Sequence, residues 1–275
     1  MANETTTAGS APSDSGLKRA AYRNLLLQAT TVGLFFAAWH LFSLSGFAVR
    51  AEMPGPGGSL ARLWELLFTG DYWRALGTTV RSWATALAIC VVVGIPCGLL
   101  IGRSRRAFDS TKFVIDFLRT IPSLAIVPLT LLLFGQTVTM VVVVCCLAAV
   151  WPLLIQSIYA GQHADPDLHR VARSFRLGWM DRIRYVLVPE ALAFIWPGLR
   201  LAVTAALLVT IGAELVGSAR GTLGYRLLEA QVLNQPDTLY AYVLTACALG
   251  LAVNGALTLI QRRLLWWHPS MRGRS

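Results

Sequence analysis

Apolar residues gather along this chain in runs of about twenty, long enough at 1.5 Å per residue to cross a hydrocarbon core about 30 Å thick, and polar residues collect between them. The pattern predicts six membrane-crossing helices, near residues 25–46, 78–101, 113–134, 137–158, 191–216 and 239–261. The expected fold is all-α, a polytopic membrane protein with no stretch left for a large soluble domain. Residues 1–20 are expected to form a disordered polar tail, residues 21–267 a single transmembrane domain and residues 268–275 a short basic tail. The first apolar run is too long for a secretory leader core and is expected to stay as a span.

The polar segments orient these helices. Between the first and second spans Arg50, Arg62 and Arg74 are matched by Glu52, Glu65 and Asp71, and between the fifth and sixth Arg220 and Arg226 are matched by Glu229 and Asp237. On the opposite side Arg103, Arg105, Arg106 and Lys112 face only Asp109, and Arg262, Arg263, Arg272 and Arg274 stand unopposed. An excess of Lys and Arg marks cytoplasmic loops, so both termini and the loop at 159–190 are expected in the cytoplasm.

Composition narrows the function. Of the 275 residues, 55% are hydrophobic and 14% charged, with a mean hydropathy of +0.58, whereas a soluble domain carries about 25% charged residues. The net charge of +10 falls between spans and calls for no nucleic acid. Cys90, Cys97, Cys145, Cys146 and Cys247 sit inside apolar runs without metal-ligand spacing and are expected as small membrane-core side chains. His163 and His169 lack acidic ligands in register, so no metal is expected. Neither Lys18 nor Lys112 lies in a GxxxxGK[ST] loop, and no nucleophile-and-base set gathers near one membrane face, so the chain is not expected to be an enzyme.

Within the spans, Asp116, Arg119, Arg200 and Glu214 are costly in hydrocarbon and must face protein, water or headgroups. Asp116 and Arg119 are spaced to pair on one helix face. Arg200 and Glu214 share a face about 21 Å apart and could line one path. Arg81 lies at the outer boundary or near that path. Pro122 and Pro128 are expected to bend the third span and open room beside a cavity. Arg119, Pro122, Pro128, Arg200 and Glu214 are therefore candidate pathway or interface residues. Gly94 and Gly98 have the spacing that lets helices approach closely.

The loop at 159–190 carries an amphipathic pattern. Leu168, Val171, Ala172, Phe175 and Trp179 recur at helical spacing, with Arg170, Arg173 and Arg176 off that stripe. Asp165, Pro166 and Asp167 suit a helix start, and Gly178 a break between two short helices. Such a helix can lie on lipid headgroups or press into a groove on another protein, and periodicity leaves both open.

This loop resembles the "EAA" loop of permease subunits of bacterial ATP-binding-cassette importers. With Pro189 as the end of the motif, the Glu-Ala-Ala triplet falls on Arg170, Val171 and Ala172 and the motif glycine on Arg176; arginine replaces both the acidic residue and the glycine. The resemblance covers residues 52–267 and is strongest to nitrate, sulfonate, taurine and bicarbonate importers. It rests further on Met53-Pro54-Gly55-Pro56, on Arg119-Thr120-Ile121-Pro122-Ser123-Leu124-Ala125, and on Gly198-Leu199-Arg200-Leu201-Ala202. It rests also on Ala213-Glu214-Leu215 and Gly221-Thr222-Leu223-Gly224-Tyr225. The resemblance implies a permease that forms the path for a small solute, with a coupling loop of Leu168, Arg170, Val171, Ala172, Arg173, Phe175, Arg176, Gly178 and Pro189. It implies partners too: ATPase subunits that hold ATP and Mg, a second permease copy, and an extracytoplasmic solute-binding protein. An ion-driven secondary transporter would call for paired interrupted helices in two halves, and no convincing internal repeat is present. An integral-membrane enzyme is the remaining alternative.

Overall fold

The computed structural model describes residues 14–47, 52–163, 170, 172 and 174–264. Leu168, Val171 and Arg173 of the expected coupling loop lie outside the described residues, as do residues 1–13 and 265–275. The regular elements are helices: α1 (Asp14–Ser43), α2 (Pro56–Leu67), α3 (Gly70–Arg103), α4 (Arg105–Leu118), α5 (Val127–Phe134), α6 (Val138–Gln162), α7 (Trp179–Arg182), α8 (Val188–Val216), α9 (Leu223–Val232) and α10 (Pro236–Leu264). A 3-10 turn, Ser123–Ile126, leads into α5, and a π turn, Ile183–Leu187, joins α7 to α8. The chain divides into two compact units, Met1–Ala61 and Arg62–Ser275. In the first, α1 starts inside the stretch assigned above to the tail, and Trp39 Nε1 donates to the Pro54 carbonyl at 3.2 Å.

Among the described residues, five helical runs are long and apolar enough to span a membrane, and a sixth is counted if α4 and the 3-10–α5 segment form one broken span. That break corrects the expectation of a single bent third helix. The two pieces meet at 75°, because Pro122 caps the 3-10 turn and Pro128 sits in the first turn of α5. A proline there sacrifices no intrahelical bond, so these prolines start helices where a kink was expected. Helices α2 and α9 were not anticipated: both are short, lie in charged segments and lack a membrane-length apolar run.

In the second unit α6 is the central helix, packed along α3 on one side and α8 on another. Ala86, Leu87 and Cys90 of α3 meet Cys145, Ala149 and Leu153 of α6 and Trp196, Ala202 and Ala206 of α8. The α3–α6 contact is backbone-close: a Cβ on Gly98 would lie 2.5 Å from Ser157 Cβ and 2.6 Å from the Leu154 carbonyl oxygen. Gly94 and Gly98 thus act in packing. Val127 of α5 and Ile115 of α4 each seat on α6 as well, through Met140 and Val144 in one case and Leu154 and Ile158 in the other. Both halves of the broken span are therefore tied to one helix.

Cys90 and Cys145 are buried between helices and Cys146 is half-buried, whereas Cys97 and Cys247 are exposed on the protomer. The charge-balanced segments form ion pairs: Arg62–Glu65 at 2.7 Å, Arg74–Asp71 at 2.8 Å and Arg226–Glu229 at 2.7 Å. Arg226 also reaches Asp71 at 3.6 Å, joining the start of α3 to α9. Its hydrogen bond to Glu229 pushes the guanidinium further above its already high ordinary pKa.

Candidate functional site

The loop between α6 and α8 is built from two successive helix ends. Arg170, Ala172 and Ser174 are helical, and Ser174 Oγ donates back to the Arg170 carbonyl at 3.1 Å. The helix stops at Arg176, whose φ is +49°. The Leu177 amide then donates to the Ala172 carbonyl at 3.1 Å, the six-to-one bond of a Schellman end. The left-handed residue is thus Arg176, the position counted as the motif glycine. Gly178, expected as the break, is extended and caps α7, its carbonyl accepting from the Arg182 amide at 2.9 Å. Pro189, in the first turn of α8, brings no N–H for the Tyr185 carbonyl, and the Val188 amide bonds five residues back to Ile183. The π turn is the local answer to that missing donor.

Most of the described side chains on these turns are open. Ala172 is buried, while Phe175 is 76% exposed and Trp179, Met180 and Tyr185 are exposed beside it in sequence. Arg170, Arg176 and Arg184 are exposed too, Arg184 lying 5.7 Å from the centre of the Tyr185 ring. Exposed aromatics among cations, held on short capped turns, make an anchor for a partner groove.

The residues proposed for a path are dispersed. Arg119 pairs with Asp116 at 3.1 Å, as their spacing predicted, in a cavity of about 210 Å³ shared with Lys112 and Tyr159. Arg81 lines a separate cleft of about 660 Å³ with Thr78, Thr85 and Thr139. Arg200 is exposed on the protomer, and its Nη2 donates to Asn254 Oδ1 of α10 at 2.9 Å. Pro122 and Pro128 stand at the break between α4 and α5.

Glu214 sits elsewhere, fully buried between α3 and α9. Its Oε2 accepts from Thr79 Oγ1 at 2.9 Å and from the Gly224 amide at 3.0 Å. Thr79 Oγ1 in turn accepts from the Leu223 amide at 2.9 Å, and Thr222 Oγ1 from the Tyr225 amide at 3.3 Å. Three side chains thus satisfy the first three amides of α9, and an acidic group occupies its positive end. Gly224 admits no side chain, since a Cβ would come 2.5 Å from Glu214 Cβ and 2.7 Å from the Ile211 carbonyl oxygen. The Ala-Glu-Leu and Gly-Thr-Leu-Gly-Tyr elements are therefore two sides of one joint. Sequence reasoning missed Thr79 and Asn254. Thr79 has no local signal, and Asn254 had one, an amide inside an apolar run.

Residues 94–266 match the family described as binding-protein-dependent transport system inner membrane component. The bicarbonate transport system permease protein CmpB of Synechococcus elongatus is 31% identical over 278 residues, 96% of this chain and 98% of that protein. SsuC of Bacillus subtilis, which carries the name of an aliphatic sulfonates transport permease, is 28% identical over 251 residues, 91% of this chain and 89% of that protein. Among solved structures, an inward facing MetNI methionine ABC transporter matches in fold with a TM-score of 0.59 at 18% identity, over 70% of this chain and 94% of that chain.

Proposed function

Because the chain belongs to the binding-protein-dependent transport system inner membrane component family and is the permease subunit of an ATP-binding-cassette importer, we propose that it pairs with a second copy to enclose a path for a small organic or inorganic anion. Bicarbonate and aliphatic sulfonates, in the names of its relatives, support that substrate class. A solute-binding protein delivers the cargo outside. ATP and Mg are held by separate ATPase subunits, which dock on the loop between α6 and α8. Both termini lie in the cytoplasm with that loop, in keeping with the unopposed cations there.

The observation that carries the coupling role is the exposed Phe175 on its capped turn. An aromatic ring 76% open to solvent, flanked by Arg170 and Arg176, fits a partner groove better than a free surface. ATPase closure pulls on that ring, and the short turns pass the displacement to α6 and α8. Phe175→Asp should abolish solute transport driven by ATP while the permease still inserts and folds. Undiminished transport in reconstituted complexes of this variant would remove the loop from the coupling mechanism.

A further inference from the structure

Arg200 and Asn254 stand where a polar pair needs a reason. Asn254 lies eight residues before Arg262, which begins the basic last turn of α10, and so about 12 Å deeper along the helix axis. Arg262 and Arg263 suit the headgroup level, which puts Asn254 and its bonded partner Arg200 inside the hydrocarbon thickness. A free arginine near a boundary snorkels toward the headgroups. Arg200 is instead tied to a neighbouring helix, its guanidinium donating to Asn254 at 2.9 Å. Among the described residues no carboxylate pairs with it. A neutral amide orients a guanidinium without cancelling its charge, and leaves other N–H groups to donate. Both side chains are exposed on the protomer. A charge so placed needs protein, water or a ligand beside it, and in a transport protein it marks the path as the first place to look.

The neighbouring surface says which ligand. Asn254 and Thr204 edge a cleft of about 820 Å³ between α8 and α10 whose other walls, among them Leu207, Leu208, Val243 and Leu251, are mostly apolar. An inorganic anion has no use for those walls. On the anion-carrying role given above, we propose that Arg200, oriented by Asn254, is the recognition point in the path for an organic anion. The guanidinium takes the charged head in a two-pronged contact and the cleft takes a short alkyl tail.

The test uses the whole importer in cells, with uptake of labelled ethanesulfonate and labelled bicarbonate as probes. Ethanesulfonate is expected to enter in an ATP-dependent way. Arg200→Gln should lower its uptake about tenfold or more, since a bond to a charged group is lost. Asn254→Ala, which leaves the charge in place but loosens it, should lower uptake by about two- to fivefold. Asn254→Asp is the decisive variant. It keeps the side-chain volume and strengthens the pair, so a purely structural pair would tolerate it, whereas an anion site would be neutralised and uptake should fall as far as in Arg200→Gln. Copurification with the ATPase subunit and unchanged basal ATP hydrolysis separate these losses from failed assembly. If Arg200→Gln does not assemble, Asn254→Asp alone decides. Wild-type uptake in Asn254→Asp overturns the proposal. Uptake of bicarbonate but not ethanesulfonate by the unaltered importer overturns the organic-anion assignment and leaves the importer role standing; uptake of neither removes the anion class itself.

Discussion

Arg176 shows how a residue can hide a helix end. Three helix ends here share a six-to-one bond: Leu177 to Ala172, Ala219 to Glu214 and Gln235 to Ala230. The residues at positive φ in these three ends are Arg176, Ser218 and Asn234, none of them glycine. Glycine is the usual signal for such an end, which is why the sequence points to Gly178 as the break. A side chain in the left-handed region costs about 1–2 kcal/mol. Arg176→Gly should relieve about 1 kcal/mol of it, seen as roughly fivefold slower hydrogen exchange at the Leu177 amide. Glu214 was legible as a costly charge but not as a cap, because Thr79 lies 135 residues away in sequence. Glu214→Ala leaves buried donors unpaired and should destabilise the solubilised permease by about 1–3 kcal/mol. Glu214→Gln, which keeps an acceptor, should lose less in the same thermal unfolding assay.

Individual spans were legible wherever lipid-length hydrophobicity set them. The fourth, fifth and sixth were expected at 137–158, 191–216 and 239–261, and α6, α8 and α10 run Val138–Gln162, Val188–Val216 and Pro236–Leu264. Where helix continued past the apolar run, as in Gly70–Arg103, the span expected from hydropathy began only at residue 78, although the backbone is helical from Gly70. The third span failed for another reason. Apolar composition is continuous through 113–134, and only the placement of Pro122 and Pro128 distinguishes a kink from two helices set at 75°. The seam between α3 and α6 is a property of the pair. Gly98→Val would drive a branched side chain into Ser157 and the Leu154 carbonyl, and should cost about 1–3 kcal/mol. The measurement is again thermal unfolding, with Gly77→Val as a control, because a Cβ at Gly77 meets nothing within 4 Å.

At the scale of the molecule, the all-α membrane fold was legible in the sequence, since it follows from long apolar runs. The joints were not: Thr79 with Glu214, Arg200 with Asn254 and Asp71 with Arg226 are tertiary meetings that no local pattern announces. These joints differ in worth. Asp71 is 60% exposed in its pair with Arg226, and an exposed pair contributes about 0–1 kcal/mol. Asp71→Asn should therefore lower stability by less than Glu214→Ala does, and high salt should mimic it.

The sorting of the thiols has a practical side. Cys97 and Cys247 are open on the protomer while Cys90 and Cys145 are enclosed, so a small maleimide offered to the isolated chain has two ready targets without any engineering. Cys247 lies on the wall of the α8–α10 cleft. Its labelling rate, compared before and after a second copy binds, would report whether that wall stays open in the assembled importer.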